Sequence, residues 1–324
     1  MSRETFDRLF PRLKGQDCAR GPMLAADHLA RLMHRPLDEV NRNGELLAEG
    51  LIQAQNLYRA DFVIVFADVY VEAEALGVKL AYSPTANPHI ISYLNPSDIA
   101  EIDIVHAGRV PEMLKTARLC RSEFGADFPV FYSLKDPFSL AAISLSMERF
   151  LINMVDGVDA TDEILRICAV NQMKLMDAAL DLGCIPLVGA PLASGSLIGP
   201  LWFERYAAPG MMRLFDRAEQ RGSFRCLHIC GDISVLEYQI SHLRLDLFSF
   251  EQWYAPLWER MPNAISMGYV PTDLLARRDS NSVIAAAWDC LQTLPKPGIL
   301  STACDVPADA DSHLIKAMMS TSMD

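Results

Sequence analysis

No stretch of this sequence approaches the roughly 18 to 20 uninterrupted apolar residues that a membrane helix needs. The opening residues, MSRETFDRLFPRLKGQD, hold no apolar core followed by a small-residue cleavage site. The expectation is therefore a protein that stays where it is made, in the cytoplasm. Positive charge is also scarce: 29 Lys and Arg against 41 Asp and Glu leave a net charge of −12, with the acidic residues scattered along the chain. Non-specific nucleic-acid binding depends on clustered Lys and Arg, so that class is disfavoured, while small-molecule and protein partners stay open. Internal repeats, low-complexity tracts and linkers are missing, and one domain over residues 1–324 is expected, with residues 1–20 as an N-terminal helical arm. The eight cysteines are spread through a chain that is 51% hydrophobic, and in a reducing compartment they make a poor disulfide framework. Cys18, Cys120, Cys168, Cys184 and Cys290 read as small hydrophobes.

What is present is an alternation. DFVIVFAD (61–68), FPVFYSLKDP (128–137), CIPLVGAPLAS (184–194), FRCLHICGD (224–232), LDLFSFE (245–251), AISMGYVP (264–271) and GILSTACDVP (298–307) are short, near-continuous apolar runs. Each ends at a turn signal and is followed by a helical pattern, as in 139–155 and 161–183. A weaker eighth strand is expected near GPML (21–24), where the helical arm ends. Apolar strands alternating with helices imply a parallel sheet buried on both faces. No Gly-x-Gly-x-x-Gly follows the first strand, so a (β/α)8 TIM barrel is preferred to a dinucleotide-binding sheet. The segment 81–98 carries Pro84, Pro88 and Pro96 and is expected to be a long loop.

The stretch FRCLHICGD carries the chemistry. Alternate side chains of a strand share a face, so Cys226, His228 and Cys230 project together, with Cys226 one layer deeper as core filler. Catalytic groups of a barrel sit at the C-terminal strand ends, and the last strand ends at Cys304-Asp305. His228, Cys230 and Cys304 then read as a three-ligand zinc set with the fourth position open; the competing reading is a set of strand residues that merely pack the core. Two thiolates and one imidazole make a weak Lewis acid, suited to binding an incoming thiol and holding it as thiolate. Asp68 and Glu74, with Glu72 between them, are candidate proton acceptors for that thiol; the competing reading is an acidic first turn of a helix. Asp232 either orients His228 or merely completes a Gly-Asp turn. His242 and His313 fall on expected helices, and His89 lies in the proline-rich loop.

With these residues in hand, the chain resembles the uroporphyrinogen decarboxylase superfamily. Within it, the resemblance is to the branch of zinc-dependent methylcobamide:thiol methyltransferases of the coenzyme M type. It rests on YRADFVIVFADVYVEAEALG (58–77), LIGPLWFERYAAPGMMRLFD (197–216), FRCLHICGD, ISMGYVPTDLL (265–275) and GILSTACDVPADAD (298–311). The resemblance implies Zn2+ on His228, Cys230 and Cys304. It further implies that a methyl group on a corrinoid, carried by a separate protein docked at the barrel mouth, passes to a zinc-bound substrate thiolate such as coenzyme M. Departures stand beside this likeness. GPMLAADHLARLMHR lacks the arginine-rich motif of true decarboxylases, which argues against a decarboxylase-like lyase. The family's Gly-Pro-Phe is Asp136-Pro137-Phe138 here, preceded by Lys135, and its Asp-Pro is Ala190-Pro191. Lys135, Asp136 and Tyr269 are the residues expected to line the substrate pocket. The alternative within enzymes is a corrinoid-dependent demethylase that loads methyl from a methylated substrate onto a corrinoid protein.

Overall fold

The computed structural model describes residues 2–156, 158–277 and 279–322. Its main sheet has eight strands: β1 Cys18–Arg20, β2 Val63–Val65, β5 Val130–Lys135, β6 Ile185–Gly189, β7 Cys226–Ile229, β8 Leu247–Phe250, β9 Ile265–Val270 and β10 Gly298–Thr302. Between β2 and β5 the short strands β3 Lys79–Ala81 and β4 His89–Ser92 pair antiparallel. The main sheet runs β1-β10-β9-β8-β7-β6-β5-β2, and all its pairings are parallel. The two ends of that order meet. Asp61 N–H donates to the Arg20 carbonyl at 2.8 Å, and the Asp61 carboxylate accepts the Arg20 N–H at 2.7 Å. The edges approach so closely that a Cβ on Gly21 would stand 2.6 Å from the Phe62 ring. The result is a (β/α)8 TIM barrel without a free edge.

Alternation divides the packing into an inner and an outer set. Ala19, Ile64, Phe131, Leu187, Cys226, Leu247, Met267 and Ile299 form the lumen cluster. The N-terminal helix Ser2–Leu9 adds Phe6 and Leu9 to it, and Phe10 follows, so the arm plugs the end at which the strands begin. Each of these three side chains is at most 2% exposed. Residues of opposite parity, such as Val65, Leu134, Val188, Leu227 and Phe248, face the helices in the larger outer cluster.

Several local expectations are corrected. The eighth strand lies at Cys18–Arg20, not at 21–24, because Gly21 N–H makes the last ladder bond to Leu300 and Pro22 has no N–H to continue it. The helical part of the arm accordingly ends at Leu13. One helix over 139–155 is in fact two, Pro137–Leu145 and Met147–Asp156, bent by 109°. The break falls at Ser146, whose φ of +71° leaves the helical region. The helix expected at 161–183 runs Val158–Asp181, with Gly183 at φ +75° beyond its end. The segment 81–98 is not wholly irregular, since it contributes β4 and a 3-10 turn, Pro96–Asp98. Among the described residues no single helix is long and apolar enough to cross a membrane.

The closure gives a direct test. Asp61→Ala removes the acceptor of the Arg20 N–H and should lower stability in urea denaturation by about 1–3 kcal/mol. Asp61→Asn retains an acceptor oxygen and should recover most of that loss.

Candidate metal centre

Register places the site. His228 on β7 lies opposite Ser249 of β8 and Gly189 of β6, and Cys226 lies opposite Leu247 one layer below. Cys226 is 1% exposed, and burial pushes its thiol well above the usual range, which leaves an inert packing residue. Above it the chain turns at Gly231, with φ +73°, immediately after Cys230. Cys304 arrives from the end of β10. His228 Nε2 lies 3.2 Å from Cys230 Sγ, which lies 3.8 Å from Cys304 Sγ. All three donor atoms fall within 4.8 Å of one another. The other imidazole nitrogen, Nδ1, meets Ser249 Oγ at 2.9 Å.

A hydrogen bond joins the two cysteines. A hydrogen bond from Cys230, and then the proximity of His228, lower Cys304 to about 4 against the opposing effect of burial. The same bond holds the Cys230 thiol up. Burial pulls His228 down, but the hydrogen bond and charge of Cys304 more than reverse this, so its imidazole rises. Two sulfurs and an imidazole this close together are groups whose protons a divalent cation would displace on binding. One imidazole nitrogen and two sulfurs, converging without a carboxylate among them, fit zinc by donor type, with a coordination position left for another molecule. The three residues open onto a cavity of about 100 Å³. Leu24, Ile64 and Phe66 give it apolar walls, while Lys135 and Asp305 add charge. Burial, then the Cys304 charge, push the Asp305 carboxyl up to about 7.

The other sequence-selected residues separate into different surroundings. Lys135 lines the cavity, 3% exposed, with its Nζ 4.9 Å from the Phe66 ring centroid and 3.7 Å from Glu72 Oε2. Glu72 is itself fixed by the Lys135 backbone N–H at 2.9 Å. Asp136 is not in the cavity wall: its carboxylate caps the helix Pro137–Leu145 by accepting from Phe138 and Ser139, and burial pushes it up to about 6. Asp68 and Glu74 are joined by Arg109, which bonds Asp68 at 2.6 and 3.1 Å and Glu74 at 2.5 Å. Neither carboxylate lines the cavity. Asp232 accepts from Ser234 N–H at 2.8 Å in the following turn, so Ser249, not Asp232, meets His228. Tyr269 stacks on Phe250 and Trp253 and donates to Asp289 at 2.7 Å, among the outer aromatic rings. His89, His242 and His313 are exposed. Two contributors were given no role in the sequence: Ser249 and Asp305. Counting alternate positions through LFSF would have put Ser249 on the lumen face, and Asp305 directly follows a selected cysteine.

The uroporphyrinogen decarboxylase (URO-D) family profile matches residues 5–323. The chain belongs to that family. A methylcobamide:CoM methyltransferase, MtbA, of Methanosarcina mazei is 26% identical over 87% of this chain and 85% of its own length. A methylated-thiol–coenzyme M methyltransferase of the same organism is 27% identical over 74% of this chain and 66% of its own. Among solved structures, a methyltransferase from Methanosarcina mazei superposes with a TM-score of 0.85 over 98% of this chain and 97% of that one, at 20% identity. At that identity the superposition shows a shared barrel fold, and the family assignment rests on the profile match.

The buried ion pairs around Arg109 yield a second prediction. Arg109→Met leaves Asp68 and Glu74 without their cation, and should cost about 3–5 kcal/mol in denaturant unfolding. The metal content of the folded variant should be unchanged, because neither carboxylate lines the cavity.

Proposed function

We propose that this URO-D barrel is a zinc-dependent methyltransferase that moves a methyl group from a corrinoid to a thiol. The convergence of His228 Nε2, Cys230 Sγ and Cys304 Sγ within 4.8 Å is the observation that carries the reading. His228, Cys230 and Cys304 would hold the ion, which when bound supplies the Lewis acidity that keeps an incoming thiol deprotonated. The chain does the remainder. Apolar walls at Leu24, Ile64 and Phe66 exclude water from the attacking sulfur, and the narrow cavity restricts its orientation. The named relatives, two of them methyltransferases acting with CoM, support the same chemistry.

Lys135 supports an acceptor with an anionic end, such as coenzyme M. Its buried ammonium stands 3.7 Å from Glu72, beyond a normal hydrogen bond, and so keeps donor capacity toward the cavity. The methyl donor would be a corrinoid protein docked over the mouth. Large apolar side chains stand exposed in the segments that follow β2, β5 and β6: Ile91 (64%), Val155 (64%) and Leu201 (79%).

Metal analysis of protein purified without added zinc should find about one zinc per chain, strongly reduced in Cys304→Ser. A folded parent that neither carries zinc nor takes it up would sink the reading. With methylcobalamin as donor, the parent should methylate coenzyme M. In the same assay Lys135→Gln should raise KM for coenzyme M about tenfold, the equivalent of one charge-assisted hydrogen bond. It should change the KM for the neutral 2-mercaptoethanol far less, and leave zinc content intact.

A further inference from the structure

We propose that Met23 is a positioning residue for the centre, holding His228 in its ligating tautomer through Ser249 and clamping the loop that carries Cys304. The inference rests on reading His228, Cys230 and Cys304 as metal ligands, and four contacts carry it. Ser249 Oγ–H donates to Met23 Sδ at 3.7 Å, while the same oxygen meets His228 Nδ1 at 2.9 Å. Met23 N–H donates to Thr302 Oγ1 at 3.0 Å, and the Met23 carbonyl accepts from Val306 N–H at 2.8 Å. Thr302 and Val306 lie two residues before and two after Cys304.

Proton counting sets the direction of the first pair. A serine hydroxyl has one hydrogen to donate, and a thioether sulfur can only accept. With the hydrogen on Met23 Sδ, Ser249 Oγ presents a lone pair to His228, so Nδ1 carries the ring proton. The lone pair is then on Nε2, the nitrogen that faces Cys230 Sγ at 3.2 Å. Without the sulfur, the hydroxyl is free to rotate and donate to Nδ1. That favours the Nε2–H tautomer, whose Nε2 has no lone pair to offer a metal. Ser249 is fully buried and Met23 is 6% exposed, so water has little access to replace the missing acceptor. The backbone clamp works independently of the side chain, because any residue at 23 can make both bonds if the loop keeps its path.

Met23→Leu removes the sulfur at nearly constant volume and so separates the two roles. Zinc affinity is measured by chelator competition for the parent, Met23→Leu, Ser249→Ala and the double variant. The expected result is about a tenfold loss in each single variant, the lower end of what partners of metal-ligating side chains contribute. The double variant should bind no more weakly than Ser249→Ala, because the sulfur acts only through the hydroxyl. Full affinity in Met23→Leu, or losses that add, would overturn the relay. A parent that takes up no zinc would count against the metal reading alone. In that case the 15N resonances of the His228 ring, recorded at alkaline pH in metal-free protein, decide the relay by themselves. A change from Nδ1–H in the parent to Nε2–H in Met23→Leu supports it, and one tautomer common to both refutes it.

Discussion

Everything in the site depends on the pleat of a parallel sheet that has closed on itself. Once the Arg20 and Asp61 edges are joined, each strand presents alternate side chains to a lumen that the N-terminal arm plugs at one end. Height along the strand then decides chemistry. The floor is aromatic, the middle layer holds Cys226 and Leu247, and the top layer holds His228 and Ser249. A slip of one residue in the pairing of β7 with β8 would send His228 among the outer helices and bring Leu227 inward. Register is therefore as much a part of the centre as the identity of its three donor atoms.

The charges near the mouth are sorted by partner. Arg109 gathers Asp68 and Glu74 away from the cavity, and Glu72 remains with Lys135. The sulfurs and the imidazole are left to each other. A buried anion that lacks a cation is costly, and each of these carboxylates has one beside it. This separates the structural carboxylates from the reactive end of the barrel more firmly than distance alone would.

Much of this was legible in the sequence. Near-continuous apolar runs separated by helical patterns indicated the parallel barrel, and the spacing of His228 and Cys230 put both on one face of a strand end. The shared family likeness pointed to Cys304 on a distant strand. The features that escaped depend on tertiary context. Asp68, Glu74 and Asp136 carry the same side chain chemistry whether they meet substrate, Arg109 or a helix N-terminus, and only the fold distinguishes these cases. Tyr269 falls on a lumen-facing parity but stacks with Phe250 and Trp253 outside. Ser249 and Met23 are ordinary residues in apolar surroundings, and nothing in their own neighbourhood of sequence shows that they meet across 226 positions. The split at Ser146 is hidden for a related reason: a positive φ in a serine leaves no trace in an apolar periodicity.

The contact between Cys230 and Cys304 has a consequence beyond coordination. Two sulfurs 3.8 Å apart, one of them held as thiolate, are also the starting arrangement for oxidation. An oxidant that removes two electrons and the remaining proton would join them as a disulfide and erase both sulfur donors in one event. On the proposed function, metal and oxidant would compete for the same pair of atoms, and an occupied centre would be protected by its own ligation. The order in which a newly folded chain meets the two would then decide whether its barrel becomes competent.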